Sequence, residues 1–284
     1  MPLVTPDSLY KMIPKNKRCA IGAFNVHNME YTQAVVKAAE SENTPVILML
    51  GEPVLKFAGL DMLADIALHA VRNSRIPMAV TLDHGKKMEN IERCIELGIS
   101  VMVDGSHMSY DENIRFTREI VKIAHSSGLS VEAELGSLAG IEDVNEETTE
   151  HLTDPLAAKG FVEATGIDAL AIAIGNCHGK YEKPPVLDFE RLDRIYELVS
   201  VPLVLHGGSD LPPDMVSTSI NKGIKKFNVG TDLKTAFCES LKRTLNKNPM
   251  PFQPQDTLGP AREDVFEVVV QKIKQLRNGC TIEF

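Results

Sequence analysis

The 284-residue sequence contains no uninterrupted apolar run near the roughly 20 residues that a membrane-spanning helix needs. Residues 1–18 lack the charged start and apolar core that mark a secretory signal peptide. The five cysteines are scattered and form no CxxC pair, which suits a reducing compartment and gives no zinc-ribbon pattern. We therefore expect a cytoplasmic protein without a membrane partner.

Positive charge is also scarce. The chain has 30 Lys and Arg against 39 Asp and Glu, which gives a net charge of -9 at pH 7. Binding the phosphate backbone of a nucleic acid needs clustered Lys and Arg, so we expect no nucleic-acid partner. A small phosphorylated ligand is still compatible with this charge, because a few backbone amides can hold one.

Short apolar runs alternate with amphipathic stretches along the chain. The predicted strands are residues 20–24, 45–49, 78–82, 100–103, 130–133, 169–174, 202–205 and 225–229. The predicted helices between and after them are residues 31–42, 62–73, 89–97, 112–125, 155–165, 189–199, 214–221 and 232–245. Eight strands, each followed by a helix, are typical of a closed TIM (β/α)8 barrel. An open doubly wound sheet would usually show a GxGxxG turn after the first strand, and none follows Phe24.

Two connections are long for such a barrel, residues 136–153 after strand five and residues 175–188 after strand six. Loops of this length are usually functional. The polar, proline-rich residues 246–258 precede a last helix at residues 263–277, which we expect to pack against the barrel as an extra C-terminal helix. Residues 1–284 are predicted to form one barrel domain.

Three of the eight histidines lie at predicted strand ends, each followed by glycine. His84 follows strand three, His178 follows strand six, and His206 ends strand seven. Active sites of these barrels lie at the carboxyl ends of the strands. Three imidazoles with an open fourth position describe a catalytic zinc site, in which the metal acts as a Lewis acid on a carbonyl. Cys177, beside His178, is interpreted as a small buried residue rather than a ligand or nucleophile.

Carboxylates and glycines occupy the same predicted rim. Asp83, Asp104 and Glu134 follow strands three, four and five, where a carboxylate near a metal can act as a general acid or base. For Asp104 a turn or helix-start role is an equal alternative. The loops after strands seven and eight, where barrels frequently bind phosphate, read Gly207-Gly208-Ser209 and Asn228-Val229-Gly230-Thr231.

With these motifs the sequence resembles the class II fructose-/tagatose-bisphosphate aldolases over nearly its whole length. The carrying stretches, in order, are FNVHN at 24–28, LDHG at 82–85, MVDGS at 102–106, VEAELG at 131–136, IAIGNCHG at 172–179, LVLHGGS at 203–209 and NVGT at 228–231. The resemblance implies a zinc-dependent lyase that reversibly cleaves a ketose 1,6-bisphosphate to dihydroxyacetone phosphate and glyceraldehyde 3-phosphate.

The resemblance also implies roles for single residues. His84, His178 and His206 match the zinc ligands. Asp83 matches the residue that exchanges a proton with the aldehyde half. Glu142, in the long acidic loop, matches the acid that takes the C3 proton of dihydroxyacetone phosphate.

Further positions match secondary roles in the family. Asp104 and Glu134 match groups that can hold a displaced or second metal, and Asn25 matches a polar group near the substrate. The implied contacts to dihydroxyacetone phosphate are Gly179, Gly207, Gly208, Ser209, Asn228, Val229, Gly230 and Thr231. The resemblance also implies a monovalent cation (Na⁺ or K⁺) near the phosphate and a homodimer or homotetramer. Some tagatose relatives work with a helper subunit.

Two departures from the family pattern concern the substrate. The sequence HGGSD at 206–210 resembles the tagatose branch, yet Gly230 stands where tagatose relatives commonly have Ala. Gly51, at the end of strand two, stands where relatives usually carry Ser or Thr near the aldehyde half. We therefore predict tagatose or fructose 1,6-bisphosphate, with a preference for tagatose. A different aldehyde half, including one without phosphate, is the alternative.

Three other classes compete with this interpretation. A Schiff-base aldolase needs a lysine at a strand's carboxyl end, whereas Lys225 and Lys226 begin theirs. Metal-dependent hydrolases on this barrel typically place His-x-His after the first strand, where this chain has NVHN at 25–28. A non-catalytic partner subunit of a sugar-phosphate enzyme would not need Asp83, Glu142 and all three strand-end histidines.

Overall fold

A computed structural model describes residues 2–141, 147–148, 151–181, 183–250 and 253–284. Its strands are β1 (Ile21–Asn25), β2 (Val46–Gly51), β3 (Met78–Gly85), β4 (Ser100–Val103), β5 (Val131–Leu135), β6 (Ala139–Ile141), β7 (Glu147–Thr148), β8 (Ala169–Ile172), β9 (Cys177–His178), β10 (Leu203–Leu205) and β11 (Ile224–Val229). Its helices are α1 (Pro6–Met12), α2 (Met29–Ser41), α3 (Glu52–Ala58), α4 (Leu60–Arg72), α5 (Met88–Glu96), α6 (Tyr110–Ser126), α7 (Pro155–Thr165), α8 (Phe189–Leu198), α9 (Pro213–Asn221), α10 (Thr231–Lys247) and α11 (Gln255–Arg277).

Eight parallel strands close into a barrel in the order β1-β11-β10-β8-β5-β4-β3-β2. Each strand is followed by a helix that covers the outside of the barrel, so the predicted TIM barrel is confirmed. Short runs of Val, Ile and Leu form these strands because parallel strands under helices are buried on both faces. All six residues of β2, for example, are buried.

Alternate residues of each strand point into the barrel, which places the polar side chains of its carboxyl end. Ile21 and Ala23 of β1 belong to the apolar cluster inside the barrel, and Asn25 is the next position of the same parity. In the same way Ile47 and Met49 of β2 precede Gly51. The inner apolar layer therefore continues into a polar layer at the carboxyl end.

The structure adds short elements that the sequence patterns did not predict. Helix α1 packs Leu9 and Tyr10 into the cluster inside the barrel and so closes the amino-terminal end. Helix α3 follows β2 directly, and β6, β7 and β9 form a small separate sheet above the barrel. Seven-residue helices and two- or three-residue strands are too short to show a hydrophobic period.

The predicted C-terminal helix is confirmed, and it begins earlier than expected. Helix α11 starts at Gln255 rather than residue 263 and packs against α2 and α10. Pro260 lies inside it, which explains why the sequence pattern favoured a later start. Among the described residues, no helix is both long and apolar enough to cross a membrane.

Candidate active site

The three strand-end histidines come together at the carboxyl end of the barrel. His84 lies on β3, His178 on β9, and His206 directly after β10. The ring centroids are separated by 5.0 Å (His84 to His178), 4.8 Å (His84 to His206) and 5.8 Å (His178 to His206). One nitrogen of each ring lies within 4.8 Å of a nitrogen of the other two, a spacing at which one metal ion can bind all three.

His84 has an unusual backbone conformation, with φ of 52°. Left-handed backbone costs a non-glycine residue of order 1–3 kcal/mol and is concentrated at functional sites. The conformation coincides with a register shift between β3 and β4 that lies between Leu82 and Gly85. It brings Nδ1 of His84 to 2.9 Å from Oδ2 of Asp104.

Asp104 is fully buried and is held ionised by its neighbours. Its Oδ1 accepts from the backbone N–H and the hydroxyl of Ser106, at 3.1 and 2.6 Å. Nζ of Lys86 lies 3.7 Å from its Oδ2. Burial alone would raise the pKa of Asp104, but His84, Ser106 and Lys86 hold that pKa well below its usual range. The carboxylate is therefore available as an anion beside the histidines.

His206 is oriented by two charged residues that the sequence patterns did not single out. Its Nε2 lies 3.0 Å from Oε1 of Glu132, and Nζ of Lys226 lies 2.7 Å from Oε2 of the same carboxylate. Burial would raise the pKa of Glu132, but Lys226 and His206 lower it to about 2. Burial likewise lowers the pKa of His206, so its imidazole is neutral at pH 7.

The donor atoms around this cluster fit a metal ion. Nδ1 of His206 is buried and has no hydrogen-bond partner among the described residues, as expected for a nitrogen whose partner is a metal. Oε2 of Glu134 lies 3.4 Å from that atom and 3.8 Å from Nδ1 of His84. His84, Asp104 and Glu134 form a second group that could hold an ion. Imidazole nitrogens with carboxylate oxygens are ligands that Zn²⁺ accepts.

Asp83, next to His84 on β3, is held by two amides on β1 and β11, which pair with each other. Nδ2 of Asn25 donates to its Oδ2 at 2.7 Å, and Nδ2 of Asn228 donates to its Oδ1 at 3.2 Å. Asp83 is only 7% exposed yet lines the open cavity beside the histidines. The two donors fix the plane of the Asp83 carboxylate. Asp83 can therefore accept or return a proton in a fixed orientation relative to the cavity.

A cavity of about 550 Å³ opens over this cluster. Most predicted site residues line it: Asn25, Asp83, His84, His178, Gly179, Gly207, Ser209, Asn228, Gly230 and Thr231. Gly208 and Val229 lie behind the wall, where the backbone N–H of Gly208 donates to the carbonyl of Asn228. Glu142 lies outside the described residues, so its predicted role stays a prediction.

The two glycine-containing loops meet at one side of the cavity. Helix α10 begins at Thr231, and its N-cap residue, Gly230, supplies no side-chain hydrogen bond. The positive end of the helix dipole therefore lies at the cavity, where it favours an anion. The Ser209 hydroxyl accepts from the backbone N–H of Asp232 at 3.3 Å, which ties the two loops together. Gly207 has φ of 64°, and a Cβ there would lie 2.0 Å from the carbonyl oxygen of Cys177. Glycine is therefore required where the first loop passes the β9 backbone.

Glu52, which the sequence patterns also missed, fixes the loop that follows His84. Its Oε1 accepts from the backbone N–H groups of Lys86 and Lys87, both at 3.0 Å, and from the amide of Asn90 at 3.3 Å. The signal in the sequence was only an acid after an apolar run, which is usually a surface residue. Its contacts bridge β2 and the loop after β3.

Comparison with known proteins agrees with this geometry. The family described as Fructose-bisphosphate aldolase class-II matches residues 9–279. The chain belongs to this family. It is 42% identical to a fructose-bisphosphate aldolase of Thermus caldophilus over 89% of this chain and 92% of that protein. It is 39% identical to a fructose-bisphosphate aldolase of Giardia intestinalis over 96% of this chain and 93% of that protein.

A solved structure shows the same arrangement of elements. The YdjI aldolase from Escherichia coli K12 is 34% identical and superimposes with a TM-score of 0.87, covering 99% of this chain and 100% of that one. The predicted class II aldolase family is confirmed, and this chain is a class II aldolase, a lyase. The tagatose branch stays a prediction.

Gly230 gives the first test of this aldolase's site. A Cβ at Gly230 would lie 2.5 Å from Oδ1 of Asn25, so Gly230→Ala should displace Asn25 from Asp83. A hydrogen bond to a charged group contributes about 1.5–3 kcal/mol. We therefore expect kcat to fall about ten- to a hundredfold with little change in melting temperature. Steady-state kinetics and thermal denaturation measure the two effects.

Gly51→Ala is the matched control for that substitution. Its Cβ would lie 3.7 Å from Nδ2 of Asn25, an ordinary van der Waals contact on the other side of the same side chain. It should leave kcat within about twofold of the parent value. Equal kcat values for Gly230→Ala and the parent would show that the Asn25 contact with Asp83 does not matter for turnover.

Proposed function

We propose that this aldolase reversibly cleaves a ketose 1,6-bisphosphate to dihydroxyacetone phosphate and glyceraldehyde 3-phosphate and depends on Zn²⁺. One observation carries the proposal. Three imidazoles meet beside an oriented carboxylate, Asp83, and beside two glycine loops at one end of the barrel. A metal site, a proton-transfer group and an anion site within one cavity are the parts that this reaction needs.

His84, His178 and His206 would hold the metal, with Asp104 and Glu134 as an alternate or second position. When bound, Zn²⁺ would supply Lewis-acid polarisation of the ketone carbonyl of the dihydroxyacetone phosphate half. The neutral imidazole of His206 offers a lone pair for this, because burial keeps its pKa low.

The phosphate of the dihydroxyacetone half would bind between the two glycine loops. The start of α10 would supply the positive end of the helix dipole and backbone N–H groups of its first turn. The further proposed contacts are Gly179, Gly207, Gly208, Ser209, Asn228, Val229, Gly230 and Thr231. Held there, the phosphate would place the ketone carbon next to the histidines and leave the rest of the cavity for the aldehyde half.

Asp83 would handle the proton of the aldehyde half. In cleavage it takes the proton from the C4 hydroxyl, the C3–C4 bond breaks, and the electron pair is left on C3. Glu142 would then return a proton to C3, and condensation runs these steps backwards. Strand β6 pairs Gly140 with His178, so the described part of this loop runs beside the histidines.

Lys226 does not support the Schiff-base alternative. It is 1% exposed, lies in the middle of β11, and is held by Glu132 inside the barrel. A Schiff-base lysine must reach the substrate carbonyl from the cavity. Among the described residues that line the cavity, the lysines are Lys86 and Lys234. Lys86 follows β3 with its Nζ 3.7 Å from the buried carboxylate of Asp104, and Lys234 lies on α10.

The aldehyde half has two candidates. The sequence at 206–210 favours tagatose 1,6-bisphosphate, whereas the two relatives above are named fructose-bisphosphate aldolases. Gly51 favours a second candidate, an aldehyde without phosphate, because it lines the cavity at the end of β2 without a hydroxyl. Both candidates share the same dihydroxyacetone phosphate half.

Condensation of dihydroxyacetone phosphate with a panel of aldehydes tests the proposal. We expect glyceraldehyde 3-phosphate to react at least about tenfold faster than glyceraldehyde, since a second phosphate contact is worth more than about 1.4 kcal/mol. The C4 configuration of the product, assigned by NMR, should be mainly that of tagatose. Equal rates for both aldehydes would support the second candidate, and no product with any aldehyde would refute the proposed reaction.

We also propose a homodimer or homotetramer built from one barrel domain per chain, in the cytoplasm, with a helper subunit as an option. Exposed apolar side chains such as Phe57 (90% exposed) and Met62 (64%) support a covered surface. A monovalent cation (Na⁺ or K⁺) would sit near the phosphate. Light scattering and activity in Na⁺, K⁺ and choline buffers test these points.

A further inference from the structure

We infer that Glu132 and Lys226 are positioning residues that hold the ring of His206 with Nδ1 directed at the metal. This role rests on the metal site proposed above. Neither residue is among those that line the cavity over the histidines, so a substrate bound in that cavity would not contact them. They act on the site through one imidazole.

The two residues form an ion pair across the inside of the barrel. Glu132 lies on β5 and Lys226 on β11, and these strands are separated in the barrel by β8 and β10. Glu132 is 7% exposed and Lys226 is 1% exposed. Their contact of 2.7 Å therefore lies one layer below the cavity.

Such a pair is poorly explained by stability alone. Removing two charges from water costs about as much as their attraction returns, and well-packed apolar residues of similar size are often as stable or more so. Much of the inner layer of this barrel is apolar, including Ala169 and Ala171 on the strand beside Glu132. The pair also contacts His206 through Glu132, and this contact explains why two charges lie inside the barrel.

The contact between Glu132 and His206 decides which nitrogen of the imidazole carries the proton. Both oxygens of Glu132 face a nitrogen, Nζ of Lys226 at 2.7 Å and Nε2 of His206 at 3.0 Å, so Nε2 carries the proton of its hydrogen bond to Glu132. A neutral imidazole then has its lone pair on Nδ1. Nδ1 faces the other ligands and lies 3.4 Å from Oε2 of Glu134. Lys226 binds the other oxygen of Glu132 and so blocks rotation of that carboxylate away from the ring.

The test is the affinity of the metal-free protein for Zn²⁺, measured by competition with a chromogenic chelator. We expect Glu132→Gln to weaken binding about 10–100-fold, the usual effect of removing a carboxylate behind a metal-bound histidine. The melting temperature of the metal-free protein should change little by comparison. Glu263→Gln, which removes a carboxylate from the exposed pair with Lys37, is the control and should bind Zn²⁺ like the parent.

The outcomes separate this inference from the proposed function. Parent-like Zn²⁺ affinity in Glu132→Gln would overturn the positioning role and leave the metal site intact. A parent protein that binds no Zn²⁺ would refute the metal site itself. If Glu132→Gln does not fold, the double variant with Lys226→Met removes both buried charges and should show the same loss of affinity.

The parent protein offers a measurement that needs no variant. In a crystal structure with Zn²⁺ located by anomalous scattering, the metal should lie on Nδ1 of His206 while Nε2 stays at Glu132. Metal on Nε2, or a ring turned away from Glu132, would contradict the inference.

Discussion

Replacing His206 with alanine should abolish zinc binding and aldol cleavage together. The substitution removes the most buried of the three imidazoles and leaves only His84 and His178 to hold the metal. Lewis-acid stabilisation is worth several kcal/mol, and about 4 kcal/mol corresponds to roughly a thousandfold in rate. We therefore expect kcat/KM to fall by at least about a thousandfold, measured by coupled assay alongside metal analysis of the purified protein.

His69→Ala is the control for this substitution, because His69 is an exposed histidine on α4. It should keep both zinc content and turnover. Circular dichroism of both variants checks that the barrel still forms. Substantial turnover in folded His206→Ala, with or without bound zinc, would refute the assignment of His206 as a ligand.

Replacing Asp83 with asparagine should have the second-largest effect, and it should separate the two halves of the reaction. General acid–base groups contribute about 10²–10⁴-fold, so cleavage should slow by that factor. Zinc content should stay the same, because the three histidines are unchanged. Asn25 and Asn228 together lose one of the two oxygens that accept their hydrogen bonds. One of these hydrogen bonds is kept, whereas the group that transfers the proton is lost.

Hydrogen exchange at C3 of dihydroxyacetone phosphate distinguishes Asp83 from Glu142. With no aldehyde present, Asp83→Asn should retain this exchange within about tenfold of the parent, because Asp83 serves the aldehyde half. NMR in D₂O measures the exchange. Equal loss of exchange and cleavage would show that Asp83 acts on both halves, which contradicts the proposed division of roles.

The barrel itself follows from the sequence because its signal is repeated eight times. Each apolar run and amphipathic stretch is weak evidence alone, but their alternation allows few architectures. Helices α1 and α3 were missed because seven residues carry too little periodicity. The start of α11 was placed late because a proline usually marks a helix boundary, whereas Pro260 lies within this one.

The histidine cluster was predictable because a parallel barrel brings all carboxyl ends of its strands to one face. Position along the chain was therefore enough to place His84 and His206 together. His178 differs, since it lies on the short strand β9, which pairs with β6 rather than with a barrel strand. The sequence placed it correctly at this face but gave no sign of the small sheet.

The pair of Glu132 and Lys226 was missed although the sequence held a signal for it. Each lies two residues before a residue of the candidate site, Glu134 and Asn228 respectively. Residues two apart on a strand share a face, so both had to point into the barrel. What the sequence does not contain is the distance across the barrel, which depends on closure of all eight strands.

The hydrogen bonds of Asp83 were likewise not predictable from the sequence. They depend on the space at Gly230, where any side chain would meet Asn25. Residue types predicted that Asn25 and Asp83 lie near the substrate. The direction of each side chain required the positions of β1, β3 and β11 relative to one another.

Removal and restoration of the metal test the proposed Zn²⁺ dependence directly. The protein is treated with EDTA, assayed for cleavage of tagatose and fructose 1,6-bisphosphate, and titrated with Zn²⁺, with a parallel sample treated with borohydride in the presence of substrate. We expect loss of activity with EDTA, recovery that saturates with added Zn²⁺, and no inactivation by borohydride. Full activity after metal removal, together with covalent trapping of substrate by borohydride, would contradict this dependence.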